Sequence, residues 1–387
     1  MDFQLTADQQ RLQHRCRELA ADFARRSAAH DRDASHPIEN YERLREEGFL
    51  ALTVGKEWGG AGASFLDHTI AYEMLGQGCP STALAFNMQA SVVMPLLESA
   101  EVSNETKRQI AELVVQERKL IAGNFSETVT TSLIGERPLK ARARQVDAGY
   151  RVTGRKMFAS MLEAADFVLV TAYPDGATNP SAGIILMLPR LAKGRSVDPN
   201  WDVLGMRATR SDSLILDGCW LPESAAVFRS DDIRAFRHAY LNWFWGSYTP
   251  VYLGVAQAAF DELRRIVSAR QPEGYAQPLA YHPDVRRHVA EMSANLESGA
   301  VDHLPFGLAQ RQGRADRGNH RRALPGEIHG RRGGKHHHPH GADARRRARH
   351  LQDLEAGAAV PRRRAWPAAS AARGFLPLQH GSARAGD

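Results

Sequence analysis

The side chains with the most evident capacity for chemistry form two runs near the carboxyl terminus. Four histidines lie between Lys335 and His340, and four arginines lie between Ala344 and Arg349. Imidazole nitrogens bind transition metals, and arginines attract phosphate groups. A basic run without interleaved aromatic residues, however, is more often a solvated segment than a nucleic-acid module. We therefore predict neither a metal site nor a nucleic-acid site from these runs.

Cysteine usage and hydropathy restrict the class of protein further. Cys16, Cys79 and Cys219 are too widely separated to indicate a disulfide framework or a zinc-binding pair. The amino-terminal segment lacks the apolar run of a signal peptide, and no stretch long enough to cross a bilayer is free of polar side chains. We predict a cytoplasmic protein without a membrane span.

The average composition combines two different parts of the chain. Residues 1–300 hold 33 Lys and Arg against 37 Asp and Glu, whereas residues 301–387 hold 17 against 7. The second part contains only 12 Leu, Ile, Val or Phe in 87 residues. Such a low content of apolar side chains cannot bury enough area to offset the entropy of the chain. We predict that residues 300–387 form a disordered basic tail.

The elements that must position any site begin as helices. Thr6 and Gln9 have the spacing of a capping box, and apolar residues then recur at helical spacing. Pro37 suits the first turn of a second helix, which we expect to end at Gly48. The same pattern continues as far as Ile121. The first third of the chain is therefore predicted to be all-helical.

After Ile121 the apolar period changes from 3.6 to 2, which indicates strands. A hairpin turn is predicted over 146–150, followed by short runs rich in β-branched residues. From about Ala235 the helical period returns. The last apolar stripe consists of Val285, Val289, Met292 and Leu296. We expect this stripe to break off at Gly299, in the middle of a helical bundle.

Four short motifs occur in an order that resembles the acyl-CoA dehydrogenase family. They are Phe3-x-Leu5-Thr6-x-x-Gln9, Glu57-Trp58-Gly59-Gly60-x-Gly62, Leu204-Gly205-Met206-Arg207-Ala208-Thr209 and Leu221-Pro222. The resemblance covers residues 1 to about 299. It implies an α+β multi-domain fold, with an N-terminal α-helical domain over 1–118 and a middle antiparallel β domain over 119–232. Residues 233–299 would then be what remains of a truncated C-terminal helical bundle.

The resemblance also implies FAD as cofactor and a set of residues that bind it. Ser126 and Ser132 lie in a stretch similar to the family's Thr-Glu-Pro-x-x-Gly-Ser-Asp, and Phe125 precedes it. Lys156 to Ser160 is similar to the family's Lys-x-Trp-Ile-Thr, which would place Phe158 over the flavin ring and let the Ser160 hydroxyl donate to flavin N5. The alternative is that Phe125 and Phe158 are core aromatics and the serines are turn residues.

Two further positions depart from the family pattern. Pro272 stands where the family has an arginine on the flavin pyrophosphate, so Arg270 is the candidate substitute, with an ordinary surface arginine as the alternative. Arg207 could contact a ligand or form a salt bridge. One position of the family's base aligns with Phe244, and Asp261 and Glu262 fit a solvated helix face better. The catalytic base therefore stays unassigned.

The tail also matches an out-of-frame reading of a gene rich in G and C. Its dominant residues, Arg, Ala, Gly, Pro and His, all have codons rich in these bases. Sliding every codon forward by one base from Ala300 permits a helical pattern and a Gly-Gly-x-x-Gly motif, which the family has at its C-terminus. We predict a frameshift near Gly299. The bundle would then lack helices, which predicts a destabilised, association-prone protein.

The resemblance implies α,β-dehydrogenation of an acyl-CoA or acyl-carrier-protein thioester, with an electron-transferring flavoprotein as acceptor and a homodimer or homotetramer as the assembly. Two alternatives stay open. One is a same-fold flavin-dependent monooxygenase or oxidase of secondary metabolism. The other is a non-enzymatic binding protein that acts through its basic tail.

Overall fold

The computed structural model describes residues 4–127 and 139–315. The N-terminal part is helical, as predicted, and Thr6 caps the first helix by accepting from the Gln9 N–H while the Gln9 side chain accepts from the Thr6 N–H. Its five helices are α1 (Ala7–Asp33), α2 (Ile38–Glu46), α3 (Phe65–Gly78), α4 (Pro80–Glu98) and α5 (Asn104–Val115). Helix α4 is buried along nearly its whole length because most of its residues are apolar, and its few polar side chains are small or hydrogen-bonded within the fold.

The strands follow at Ile121, where the sequence period changes. They are β1 (Ile121–Asn124), β2 (Arg142–Val146), β3 (Gly149–Lys156), β4 (Phe167–Pro174), β5 (Gly183–Pro189), β6 (Arg195–Asp198), β7 (Ser213–Pro222) and β8 (Ala226–Ser230). The sheet order is β6-β7-β3-β2-β4-β5-β8, and β1 pairs with β4. The predicted hairpin joins β2 and β3 through Ala148, which has φ of +58°.

The sheet is antiparallel except at two places. Strand β4 runs parallel to β1 and also parallel to β2. A parallel pair needs a crossover rather than a tight turn, and sequence periodicity does not reveal one. The expectation of an antiparallel β domain therefore holds for the five other pairings described.

Two long helices complete the described chain, α6 (Arg234–Ala269) and α7 (Pro283–Ala315). Helix α6 lies very close to α3 at Gly254. A Cβ added at this glycine would be only 2.1 Å from the Glu73 carbonyl oxygen. Helix α7 continues through Gly299, so the expected break there is wrong. Residues 300–315 include three Ala, two Leu and two Gln, which favour helix, and also Pro305, Gly307 and Gly313, which disfavour it.

The outer faces of α6 and α7 are poorly covered. In the stripe predicted from the sequence, Val285, Val289 and Leu296 are half-buried and Met292 is exposed. A groove of about 610 Å³ runs between Leu253, Leu263, Met292 and Leu296. The core of the molecule instead lies between α1, α3, α4, the sheet and the first half of α6.

Within the described residues, no helix is both long and apolar enough to cross a membrane. Ser132, the histidine and arginine runs, and the part of the predicted tail beyond Ala315 lie outside the described residues.

Candidate functional site

A buried ion pair joins the segment after β1 to the end of β3. The Lys156 Nζ lies 2.5 Å from the Glu127 Oε1, and both side chains are inaccessible to solvent. Glu127 also accepts from the backbone N–H groups of Lys140 and Ala141, and Lys156 donates to the Thr171 hydroxyl. Burial lowers the pKa of Lys156, and the Glu127 carboxylate opposes that shift. The pair therefore fixes two segments that carry predicted site residues.

The backbone joins the same two segments. The Met157 N–H donates to the Ser126 carbonyl oxygen at 2.9 Å. Ser126 therefore lies beside the start of the Lys156 to Ser160 motif, as the resemblance requires. The contact involves the main chain, so it places Ser126 without assigning its hydroxyl a role.

Phe158 presents an aromatic ring to solvent. It is 57% exposed, and its edge meets the half-buried Trp201 with ring centroids 6.1 Å apart. Its backbone is left-handed, with φ of +56°. This conformation costs a residue with a Cβ on the order of 1 kcal/mol or more, and such strain concentrates at ligand clamps. Phe158 is therefore not a core aromatic, and its exposed face fits stacking on a flat ring.

Ser160 meets a second segment, residues 199–212, which we group with residues 156–160 as the cradle. The Ser160 Oγ lies 2.7 Å from the Ser211 Oγ, and the Ala159 N–H donates to the Asp212 carbonyl oxygen. The Asp212 carboxylate in turn accepts from the backbone N–H of Trp201 and from the Arg210 guanidinium. The cradle is thus closed by side-chain and main-chain bonds.

The corner between α1 and α2 holds the cradle from the outside. The Arg207 Nε donates to the Asp31 carbonyl oxygen at 2.9 Å, and the Arg210 Nη1 donates to the Ala34 carbonyl oxygen at 3.1 Å. The His36 Nδ1 donates to the Ala208 carbonyl oxygen at 3.2 Å. Arg207, whose two predicted roles were a ligand contact or a salt bridge, forms a salt bridge with Asp202, with the Nη1 atom 3.5 Å from the Asp202 Oδ1, in addition to its bond to the end of α1. The helical and β parts of the chain therefore meet at this site.

Phe125 and Arg270 lie away from the cradle. The Phe125 ring is buried and packs against Tyr240 at 5.0 Å and Phe236 at 6.5 Å, which is the core role given as the alternative. Arg270 follows the end of α6 and is exposed. In the described part of the chain its guanidinium has no hydrogen-bond or salt-bridge partner. The structure thus groups Ser126, Phe158 and Ser160, and leaves Phe125 and Arg270 apart.

Asn124 is a candidate that the sequence motifs missed. It ends β1, two residues before Ser126, and is only 2% exposed. Among the described residues neither amide atom of its side chain has a hydrogen-bond partner. A buried amide without partners costs about 1 to 3 kcal/mol, so this side chain is suited to a polar ligand. The available signal was one amide residue in the apolar run Ile-Ala-Gly-Asn.

Phe244 lies in an aromatic row on α6. Its ring is 5.2 Å from Tyr240, 4.4 Å from Tyr248 and 5.1 Å from Trp245, centroid to centroid. The carboxylates further along are on exposed turns, where Asp261 pairs with Arg264 and Glu262 pairs with Arg265. These two acids form a solvated face, as the sequence pattern indicated.

Comparison with known proteins identifies the class to which this arrangement belongs. The fold matches that of butyryl-CoA dehydrogenase from Megasphaera elsdenii with a TM-score of 0.71 at 19% identity, over 81% of this chain and 82% of that one. It also matches KijD3 in complex with FMN and dTDP-3-amino-2,3,6-trideoxy-4-keto-3-methyl-D-glucose, with a TM-score of 0.67 at 25% identity over 81% and 74% of the two chains. The fold and the cradle thus define a flavoprotein.

Sequence similarity then gives the family. Residues 6–113 match the acyl-CoA dehydrogenase N-terminal domain. The chain is 31% identical over 293 residues to the putative acyl-CoA dehydrogenase YdbM of Bacillus subtilis, covering 76% of this chain and 74% of that protein. The chain belongs to the acyl-CoA dehydrogenase family, whose members are flavin oxidoreductases that act on CH–CH groups. The resemblance drawn from the four motifs is confirmed.

Proposed function

We propose that this chain is a flavin-dependent oxidoreductase that binds the flavin ring between Phe158, Ser160, Ser126 and Asn124. The observation that carries the proposal is the exposed, left-handed Phe158 beside the half-buried Ser160 hydroxyl. The left-handed backbone at Phe158 is costly, and strain of this kind concentrates at ligand-binding positions. The Asn124 amide has no partner among the described residues and lies two residues before Ser126, and it independently favours a polar ligand.

These residues fit the ring of a flavin. Phe158 offers a flat apolar surface, Ser160 a hydroxyl, and Asn124 both an amide donor and an amide acceptor for ring heteroatoms. Ser132, the second predicted flavin residue of its stretch, is outside the described residues, and Arg270, the predicted pyrophosphate contact, is exposed after the end of α6. We propose FAD, as the resemblance implies, and FMN is the other outcome of a binding test.

The first candidate reaction is the α,β-dehydrogenation of an acyl-CoA or acyl-carrier-protein thioester, with an electron-transferring flavoprotein as acceptor. When bound, a flavin supplies the two-electron acceptor for the β-hydrogen. A carboxylate must remove the α-proton. The family's alternative base position is Phe244, within an aromatic row, so the base for this reaction stays unassigned.

The second candidate reaction is that of a same-fold flavin-dependent monooxygenase or oxidase. The aromatic row around Phe244 favours it, because these side chains supply apolar contacts and no group that accepts a proton. Aromatic surfaces suit a planar or cyclic substrate better than a polar one. A non-enzymatic role of the basic tail would involve residues that the structure does not describe.

Flavin binding tests the proposal directly. The wild-type chain is expected to bind FAD or FMN, detected by quenching of flavin fluorescence. Asn124→Ala should weaken binding about three- to tenfold, while leaving the free energy of unfolding of the flavin-free protein unchanged or raised by about 1 kcal/mol, because the orphaned amide is gone. Asn104→Ala, at the exposed first residue of α5, is the matched control. A wild-type chain that binds neither flavin would refute the proposal.

Two measurements distinguish the candidate reactions. One is which compound reduces the bound flavin, and the other is whether oxygen oxidises the reduced flavin. Bleaching of the visible flavin spectrum by an acyl-CoA without oxygen would support dehydrogenation. Oxygen consumption by the chain loaded with chemically reduced flavin, without bleaching by any acyl-CoA, would support the monooxygenase or oxidase. Retention on DNA at low salt that disappears when residues 316–387 are removed would support a binding role of the tail.

A further inference from the structure

The solvent-facing side of the sheet carries three arginines around an exposed tryptophan. In the registers of β2, β3 and β7, Arg144 lies directly opposite Arg151, and Arg151 lies directly opposite Trp220. Arg142 is two positions before Arg144 on β2 and therefore shares its face. The three arginines are exposed, and Trp220 is 48% exposed. We refer to Arg142, Arg144, Arg151 and Trp220 as the basic face.

The arginines of the basic face have no counter-ion within the described part of the chain, where none of them forms a salt bridge. Like charges directly opposite each other on neighbouring strands destabilise a sheet. Further along β3, by contrast, Arg155 pairs with Asp198. The juxtaposition of Arg144 and Arg151 is therefore unfavourable in the isolated chain, and an anionic partner would remove its cost.

Two of these arginines are held in place before any partner binds. The Arg142 guanidinium lies over the Tyr173 ring, 4.7 Å from its centroid. The Arg151 Nη1 donates to the Gly218 carbonyl oxygen at 3.1 Å. Restricting long side chains in advance reduces the entropy that binding must remove. The basic face is therefore partly organised for binding.

The composition of the basic face favours a protein partner over a nucleic acid. Tryptophan and arginine are among the residues most enriched at the centres of protein interfaces. A nucleic-acid site requires a longer basic footprint with many phosphate contacts. Residues 1–300 as a whole carry more Asp and Glu than Lys and Arg, which disfavours a long polyanion. The complementary partner is a protein that presents carboxylates.

Strand β3 connects the basic face to the cradle. Arg151 lies near the start of β3, and the strand ends at Lys156, where the cradle begins. At about 3.3 Å per residue, the five-residue separation corresponds to about 17 Å along the strand. A protein docked on the basic face would therefore lie beside the cradle without filling it. This position suits a carrier protein that delivers its acyl group on a flexible arm.

We propose that the basic face docks an acidic acyl carrier protein, so that the thioester substrate arrives on a protein rather than as free acyl-CoA. The guanidinium groups would pair with carboxylates of the carrier protein, and Trp220 would pack against its surface between them. The inference rests on the dehydrogenation given as the first candidate reaction. It selects between the two thioester carriers of that reaction.

Binding of a fluorescently labelled acyl carrier protein, measured by anisotropy at low salt, tests the proposal. The wild-type chain should bind it, and more weakly as salt is added. Combining Arg144→Glu with Arg151→Glu should weaken binding at least about tenfold, because two attractive charges become repulsive. The matched control combines Arg17→Glu with Arg286→Glu, at two exposed arginines that form no salt bridge among the described residues. This control makes the same change in net charge and should bind like wild type.

The tryptophan supplies a second test that does not alter charge. Trp220→Ala should weaken carrier binding about three- to tenfold, whereas Trp220→Phe keeps a flat apolar ring and should retain most of the affinity. A carrier protein with surface glutamates changed to lysine should bind the double variant at Arg144 and Arg151 better than the unmodified carrier does. Such a rescue is not expected if the variant has merely lost its structure.

Absence of carrier binding by the wild-type chain at low salt would overturn the inference, as would equal weakening by the two double variants. Full displacement of the carrier by free CoA would assign the arginines to nucleotide phosphates and would also overturn it. The same holds for a DNA oligomer that binds through these arginines when the carrier does not. Every variant should bind flavin like wild type. Loss of carrier binding with flavin retained refutes only the docking, whereas a wild-type chain that binds no flavin refutes the proposed function.

Discussion

The cradle differs from the α6–α7 hairpin, which consists of the two long helices and the turn between them. Polar groups in the cradle have partners among the described residues, whereas apolar side chains of the hairpin are incompletely covered. In the cradle, Asp212, Arg210 and Ser211 all have partners within the chain, and the open positions are at Ser160 and Phe158. Along α7, by contrast, Met292 is exposed and its apolar neighbours are only half-buried. The groove beside them has no polar pattern that selects a ligand.

The two regions are exposed to solvent for different reasons. The cradle exposes a few groups of definite geometry and chemistry, which is characteristic of a binding site. The hairpin exposes a continuous apolar stripe, which is characteristic of a helical bundle that lacks neighbours. Burying such a stripe stabilises a protein, whereas filling a preformed cradle selects a ligand. The two regions should therefore respond differently to substitution.

The largest expected effect comes from restoring the predicted reading frame after Gly299. If six aliphatic contacts return at roughly 1.5 kcal/mol or more each, the free energy of unfolding rises by about 9 kcal/mol. Sequencing codons 296–304 of the gene comes first. Urea unfolding of the frame-restored protein and of the protein described above then measures the difference in free energy of unfolding. Equal urea midpoints for the two chains would show that the hairpin is complete as it stands.

The next effect concerns the buried pair that fixes the cradle. Lys156→Met leaves the Glu127 carboxylate buried without its cation, so the free energy of unfolding should fall by about 3 to 5 kcal/mol. Adding Glu127→Gln should recover part of this loss. The matched control is Arg155→Met, which breaks the exposed pair with Asp198 and should cost less than about 1 kcal/mol. Equal losses in the two single variants would contradict the distinction between buried and exposed pairs.

An intermediate effect depends on pH and concerns two buried histidines, His36 beside the cradle and His68 on α3. Burial lowers the pKa of His36 to about 4 and that of His68 to about 3. Because the folded state disfavours the protonated form, each histidine stabilises the fold above its unfolded pKa of about 6.5, and this is lost as the pH falls toward the folded pKa. Lowering the pH from 7 to 5 should cost about 2 kcal/mol per histidine.

Urea unfolding at several pH values measures this slope. His68→Gln should flatten it by about half, whereas His14→Gln, at a side chain that is 74% exposed, should leave it unchanged. A wild-type stability that is constant between pH 7 and 5 would show that these histidines do not stay neutral in the fold.

The smallest effect is expected on the hairpin. Met292→Ser should change the free energy of unfolding by less than about 0.5 kcal/mol, because the side chain is already exposed. Leu214→Ala, at a fully buried position of β7, should cost about 2 to 5 kcal/mol. Thermal unfolding of the two variants compares them directly. A large loss at Met292 would mean that the stripe is covered in solution.

The sequence by itself determined the local elements, because local elements depend on neighbouring residues. The capping box at Thr6 and Gln9, the β2–β3 hairpin and the two changes of period each follow from residues within one turn of one another. The order of motifs also predicted the family and the multi-domain fold. One short motif also predicts that Phe158 and Ser160 lie beside a ligand site, since both belong to it.

Only the tertiary structure decided what surrounds those residues. The His36 contact to Ala208 spans 172 residues, and the partner of Ser160 comes from a different strand connection. The isolation of the Asn124 amide and the burial of Phe125 likewise depend on what packs against β1. Periodicity reports which face of an element is buried, but it carries no information about which distant group lies opposite. The group that lies beside Ser160 is therefore a property of the folded protein.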